Sequence, residues 1–137
     1  MQYAAIIRVC ACRRWAQKLI LSQFIDNGYK PIITHPERNP SISANPRLLL
    51  DLLDHNRYVQ VTAGSLTGDF GQAAQQCAQH LLRAGVVDVI ATDAHSTSYR
   101  KPQLSLGVKA AAEIVGAEAA QRMVFGTPVK IISGLSL

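Results

Sequence analysis

Two short runs carry the residues with chemistry in them: "THPER", with His35 and Arg38, and "TDAHSTSYRKP", with Asp93, His95 and Arg100. His35, Asp93 and His95 offer two imidazoles and a carboxylate, a donor set that suits zinc, manganese or iron. An ion held with an open position lowers the pKa of its bound water toward neutrality. Arg38 and Arg100 each lie a few residues beyond a candidate ligand, and a planar guanidinium grips a phosphate through paired hydrogen bonds. Metal donors beside two arginines point to phosphoester hydrolysis. Taken singly, each residue also has a plain structural reading: a hydrogen-bonded loop histidine, an aspartate capping a helix or turn, a solvated loop arginine. His55 and His80 fall within or at the ends of amphipathic helices and are assigned to the surface.

The elements needed to bring these residues together are legible as an alternation. Trp15, Leu19, Ile20, Phe24 and Ile25 recur at helical spacing between Arg14 and Asn27, with Gly28 at the left-handed C-cap position. "YKPIIT" reads as a buried strand, after which Pro36 and Pro40 are expected to hold "HPERNP" extended. Asn45-Pro46 reads as an N-cap and first helical position, opening a helix with Leu48, Leu49, Leu52 and Leu53 inward. The strand "RYVQVTA", the glycine-punctuated loop "GSLTGDFG", a helix from about Gln72 to Ala84 closed by Gly85, and the strand "VVDVIAT" follow. Helical pattern returns in "LSLGVKAAAEIV" and "AEAAQRMVF", and "PVKIISG" is expected as a short strand or extended tail. Strands separated by helix-bearing connections run parallel under covering helices, and ligands sit at their carboxyl ends. His35, Gly64-Ser65 and Asp93-Ala94-His95 occupy those ends. An extended Asp-x-His pair puts both side chains on one side.

Composition sets the limits. A chain of 137 residues, 48% hydrophobic and 17% charged, is an ordinary folded chain, expected as a single domain and shorter than the roughly 250 residues of a closed eight-stranded barrel. No apolar run reaches the roughly 20 residues that span a bilayer, and Met1 to Cys12 lacks a signal-peptide pattern, so membrane insertion is not expected and a cytoplasmic location is. The net charge of +5 comes from scattered Lys and Arg, which favours an anionic ligand over nucleic acid. Cys10, Cys12 and Cys77 have no zinc-ribbon spacing and an odd count, as expected of reduced thiols.

The runs "PIITHPERN", "QVTAGSLTGDFG" and "VIATDAHSTSYRKPQL", in this order and spacing, resemble the polymerase and histidinol phosphatase (PHP) superfamily. Within it the chain is similar, from about Gly28 to Gly134, to the bacterial metal-dependent protein-tyrosine phosphatases of capsular and extracellular polysaccharide synthesis. The resemblance implies an α/β fold that is part of a distorted, TIM-like barrel, with divalent ions, often manganese, at the strand ends. By position His35, Asp93 and His95 would be metal ligands, and Arg38 and Arg100 would bind the substrate phosphate. It also implies attack by an ion-activated water without a cysteine nucleophile. The implied substrate is a phosphotyrosine protein, such as a tyrosine kinase of polysaccharide synthesis.

The family's opening His-x-His pair has no counterpart in the 137 residues, so the chain is expected to correspond to the C-terminal portion of the domain. An open sheet edge then predicts self-association into a homo-oligomer. Three readings stay open: a tyrosine phosphatase, a weakly active or inactive family member acting as a dimer or binding module, and a small-molecule phosphatase of the histidinol-phosphate type.

Overall fold

The computed structural model describes residues 3–8, 14–53 and 56–134. Four short apolar runs form one parallel sheet, β1 (Tyr3–Arg8), β2 (Tyr29–Thr34), β3 (Tyr58–Thr62) and β4 (Val89–Ala91), in the spatial order β1-β2-β3-β4. Successive parallel strands require a crossover, and each is helical. α1 (Arg14–Asp26) joins β1 to β2; a 3₁₀ turn (Pro36–Arg38), α2 (Pro40–Ala44) and α3 (Arg47–Leu50) join β2 to β3; α4 (Ala63–Thr67) and α5 (Gln72–Arg83) join β3 to β4. After β4 come α6 (Ser105–Val115), α7 (Ala117–Gln121), a π-helical turn (Arg122–Gly126) and α8 (Thr127–Ser133). The α/β parallel architecture is the one expected.

The middle strands carry the core. Ile33 of β2 pairs with Val59 of β3, Val61 pairs with Ile90 of β4, and all four are buried with Leu49, Leu66, Leu81 and Leu82 from the covering helices. Burying a side chain of this size contributes about 1.5–3 kcal/mol relative to leaving it in water, so these contacts hold the strand ends in fixed relation.

Several local expectations are corrected. "HPERNP" is not extended: Pro36 opens the 3₁₀ turn, and Pro40 opens α2 because proline's fixed φ suits a first helical turn. The cap is Asn39, whose Oδ1 accepts from Ser41 N at 2.9 Å and Ile42 N at 3.3 Å; Asn45 closes that helix instead. α3 stops after one turn, and Leu52 and Leu53 donate back to Leu49 and Leu50 in i+3 bonds. "GSLTGDFG" begins inside α4, and "PVKIISG" lies within α8 rather than in a strand, with Pro128 at its start and Gly134 left-handed at its end. In α1 the buried apolar residue is Leu21, whereas Leu19 and Ile20 are exposed; the side chain of Trp15, like Cys10, Cys12 and His55, is outside the described residues. The exposed position of His80 agrees with expectation.

Candidate functional site

The carboxyl ends of β2, β3 and β4 meet in one place, and the backbone there departs from its easy conformations. His35, directly after β2, is left-handed at φ 37°, and Asp93, two residues after β4, is left-handed at φ 51°; they are the non-glycine residues with positive φ among those described. Such dihedrals are uncommon outside glycine and cost free energy that the surrounding structure must supply. His35 N donates to Gln60 O of β3 at 2.8 Å, which anchors the turn to the neighbouring strand.

A residue absent from the expected set supports this turn. Glu37 is 0% exposed; its Oε1 accepts from Thr62 N at 2.9 Å and from Ser65 Oγ at 2.7 Å, tying the 3₁₀ turn to the end of β3 and the start of α4. Burial pushes its carboxyl above the usual carboxylate range, opposed by those hydrogen bonds. Its partner Ser65 lies 28 residues away, so only the folded contact gives Glu37 this role. Cys77, buried close to this carboxylate, has its thiol pushed up to about 12, first by burial and then by the Glu37 charge. A thiol so shifted is a poor nucleophile at neutral pH.

Arg38 and Arg100 converge as expected, and the residue on which they meet is Asp93. Arg38 Nη1 lies 2.7 Å from Asp93 Oδ2, the Arg100 guanidinium pairs with the same oxygen, and Arg100 Nη2 also donates to Asp93 O at 3.0 Å. The loop carrying Arg100 is closed by its own polar groups: Ser96 Oγ accepts from Tyr99 N and Arg100 N at 3.0 and 2.9 Å, and His95 N donates to Arg100 O at 3.1 Å. The extended Asp-x-His geometry is corrected. β4 ends at Ala91, Asp93 turns left-handed toward the arginines, and His95 stays exposed with Nδ1 2.7 Å from Asp93 O. Beside the pair opens a cleft of about 620 Å³, whose walls include Phe70, Thr92, Tyr99, Arg100, Lys101 and Leu106.

For a divalent ion the donors are of the right kind. Burial lowers the pKa of His35, which keeps its imidazole neutral, the form that ligates metals. The arrangement falls short of a closed coordination sphere: among the described residues no three His, Cys, Asp or Glu side chains converge, and the Asp93 carboxylate is engaged by two guanidinium groups.

Comparison with known proteins places the chain among relatives. A chain from the crystal structures of YwqE of Bacillus subtilis and CpsB of Streptococcus pneumoniae, described as unique metal-dependent tyrosine phosphatases, superposes with a TM-score of 0.87 at 26% identity; the match covers 99% of this chain and 55% of that one. The likeness is that of part of a PHP-type barrel. Tyrosine-protein phosphatase YwqE of B. subtilis is 38% identical over 87 residues, 64% of this chain and 34% of its own length. CapC of Staphylococcus aureus is 42% identical over 73 residues, 53% of this chain and 29% of its own length. Tyrosine-protein phosphatase CpsB of S. pneumoniae is 26% identical over 117 residues, 82% of this chain and 48% of its own length. These matches cover between 29% and 55% of the relatives' own lengths. Residues 14–133 match the family described as capsular polysaccharide synthesis, CpsB/CapC, and the chain belongs to that family.

Proposed function

We propose that this chain carries the phosphate-binding arginines and part of the metal-ligand set of a metal-dependent protein-tyrosine phosphatase of polysaccharide synthesis. The observation that carries it is the meeting of Arg38 and Arg100, held on separate loops at the strand ends, on a single carboxylate oxygen. Two guanidinium groups that share one carboxylate oxygen are spaced to share a phosphoryl group, whose charge and planar oxygen pairs make the same demand. His35, Asp93 and His95 are the residues that would hold the ion, manganese in the first instance. When bound, a divalent ion would supply charge neutralisation and activation of water for hydrolysis. The arginines bind and orient the phosphate, and the neutral His35 imidazole offers a lone pair at the neighbouring strand end. A tyrosine kinase of polysaccharide synthesis is the proposed substrate, the cytoplasm the proposed compartment, and a homo-oligomer the proposed assembly.

With manganese and a phosphotyrosine peptide, Arg38→Ala and Arg100→Ala are each expected to lower kcat/KM by about a hundredfold or more, the scale of a lost transition-state donor. Activity unchanged in His95→Ala would remove the proposed metal site, and faster hydrolysis of histidinol phosphate would move the substrate to a small molecule. A second reading is favoured by the engagement of Asp93 with both arginines and by the absence of a three-ligand group among the described residues. It is a chain that binds phosphate without turnover, distinguished by phosphate binding in the absence of hydrolysis.

A further inference from the structure

The run "QVTAGSLTGDFG" holds a residue with no role so far, and it lies against the arginine pair. The Arg38 Cζ sits over the Phe70 ring, 4.0 Å from its centroid, and the Arg100 Cζ is 5.8 Å from the same centroid. One ring therefore faces both guanidinium groups while one carboxylate oxygen joins them. The ring is seated against the first glycine of the run: a Cβ on Gly64 would fall 3.0 Å from Phe70 Cε2 and 3.0 Å from Asp69 Oδ2. Asp69 is tied back in turn, its N–H donating to Gly64 O at 2.9 Å and its Oδ2 accepting from Thr67 Oγ1 at 3.1 Å. The ring is thus placed from a segment independent of both arginine-bearing loops.

We propose that Phe70 is a positioning residue for oxyanion binding: its ring holds the Arg38 guanidinium in a fixed plane and keeps Arg100 beside it when Asp93 yields to a phosphate. The proposal rests on the reading of Arg38 and Arg100 as oxyanion ligands. An arginine is a long side chain with rotamer freedom to lose on binding, and an aromatic face that attracts the cation removes that freedom beforehand. A leucine at position 70 preserves apolar bulk and loses the ring's negative face, whereas a tyrosine keeps it.

The test uses the full chain, with two readouts. Calorimetric titration with inorganic phosphate is expected to show affinity weakened about three- to tenfold in Phe70→Leu and restored to within about twofold of wild type in Phe70→Tyr. The melting temperature of each variant is measured alongside; should Phe70→Leu melt too low for titration, Phe70→Met makes the same comparison. Independently of phosphate, the Arg38 side-chain resonances, assigned with Arg38→Lys, are expected to show an upfield ring-current shift that Phe70→Tyr keeps and Phe70→Leu loses. Wild-type phosphate affinity in a folded Phe70→Leu, or equal weakening in Phe70→Tyr, overturns the role of Phe70 alone. A wild-type chain that shows the ring-current shift and binds no phosphate overturns the oxyanion reading, and the proposal with it.

Discussion

Glu37 and His35 stand two residues apart and respond to pH in opposite senses. The Glu37 pKa is raised by burial, so the folded state holds a proton that the unfolded chain gives up near the ordinary carboxylate value. Its contribution to stability is full at low pH and declines as pH rises from that value through the raised one. His35, with a lowered pKa, contributes fully above its usual value of 6.5 and loses that contribution as pH falls through its folded value. Glu37→Gln keeps an acceptor for Thr62 N and Ser65 Oγ and removes the titration. Thermal melts from pH 4 to pH 8 are therefore expected to show the Glu37→Gln melting temperature gaining on wild type as pH rises; a constant difference would contradict the buried-carboxyl account. Glu37 also marks a limit of sequence reading. Spacing offered Arg38 and Arg100 as candidates, but nothing in the spacing distinguishes a glutamate that faces inward from one in solvent.

Among the elements, strands and long helices were readable because burial repeats along them: Ile33, Val59, Val61 and Ile90 lie in apolar runs, and Gln72–Arg83 has a clear inner face closed by Gly85. Short elements escaped because their decisive contacts are single side-chain bonds. Asn39 rather than Asn45 caps a helix, and a proline at Pro40 starts one where it was expected to prevent it. Close packing behind the cleft depends on an equally local feature. α6 meets α4 at Gly107, where an added Cβ would fall 2.6 Å from Ala63 Cβ and 2.7 Å from Ala63 Cα. Backbone cannot yield there as a flexible side chain would, so Gly107→Ala is expected to destabilise the fold by about 1–3 kcal/mol, measured by denaturant unfolding. A variant as stable as wild type would show that the two helices can separate freely.

For the whole molecule, the described sheet ends at β1 and β4, and β1 carries Ile6 at 77% exposure, while Leu19 and Ile20 of the following helix are also exposed. An uncovered strand edge bearing an apolar side chain is a template for pairing with another chain. Sedimentation velocity is expected to show concentration-dependent association that Ile6→Lys reduces; a strict monomer at the highest soluble concentration would contradict it. The site, by contrast, depends on something that no edge or core supplies, the left-handed backbone at His35 and Asp93. At both positions the local chain would be relieved by glycine, and selection for stability alone would drift toward it. On the proposed metal-ligand role, the histidine and aspartate at these positions trade backbone ease for chemistry. In a library sorted first for thermal resistance and then for turnover, these are the two positions where the sorts should pull apart.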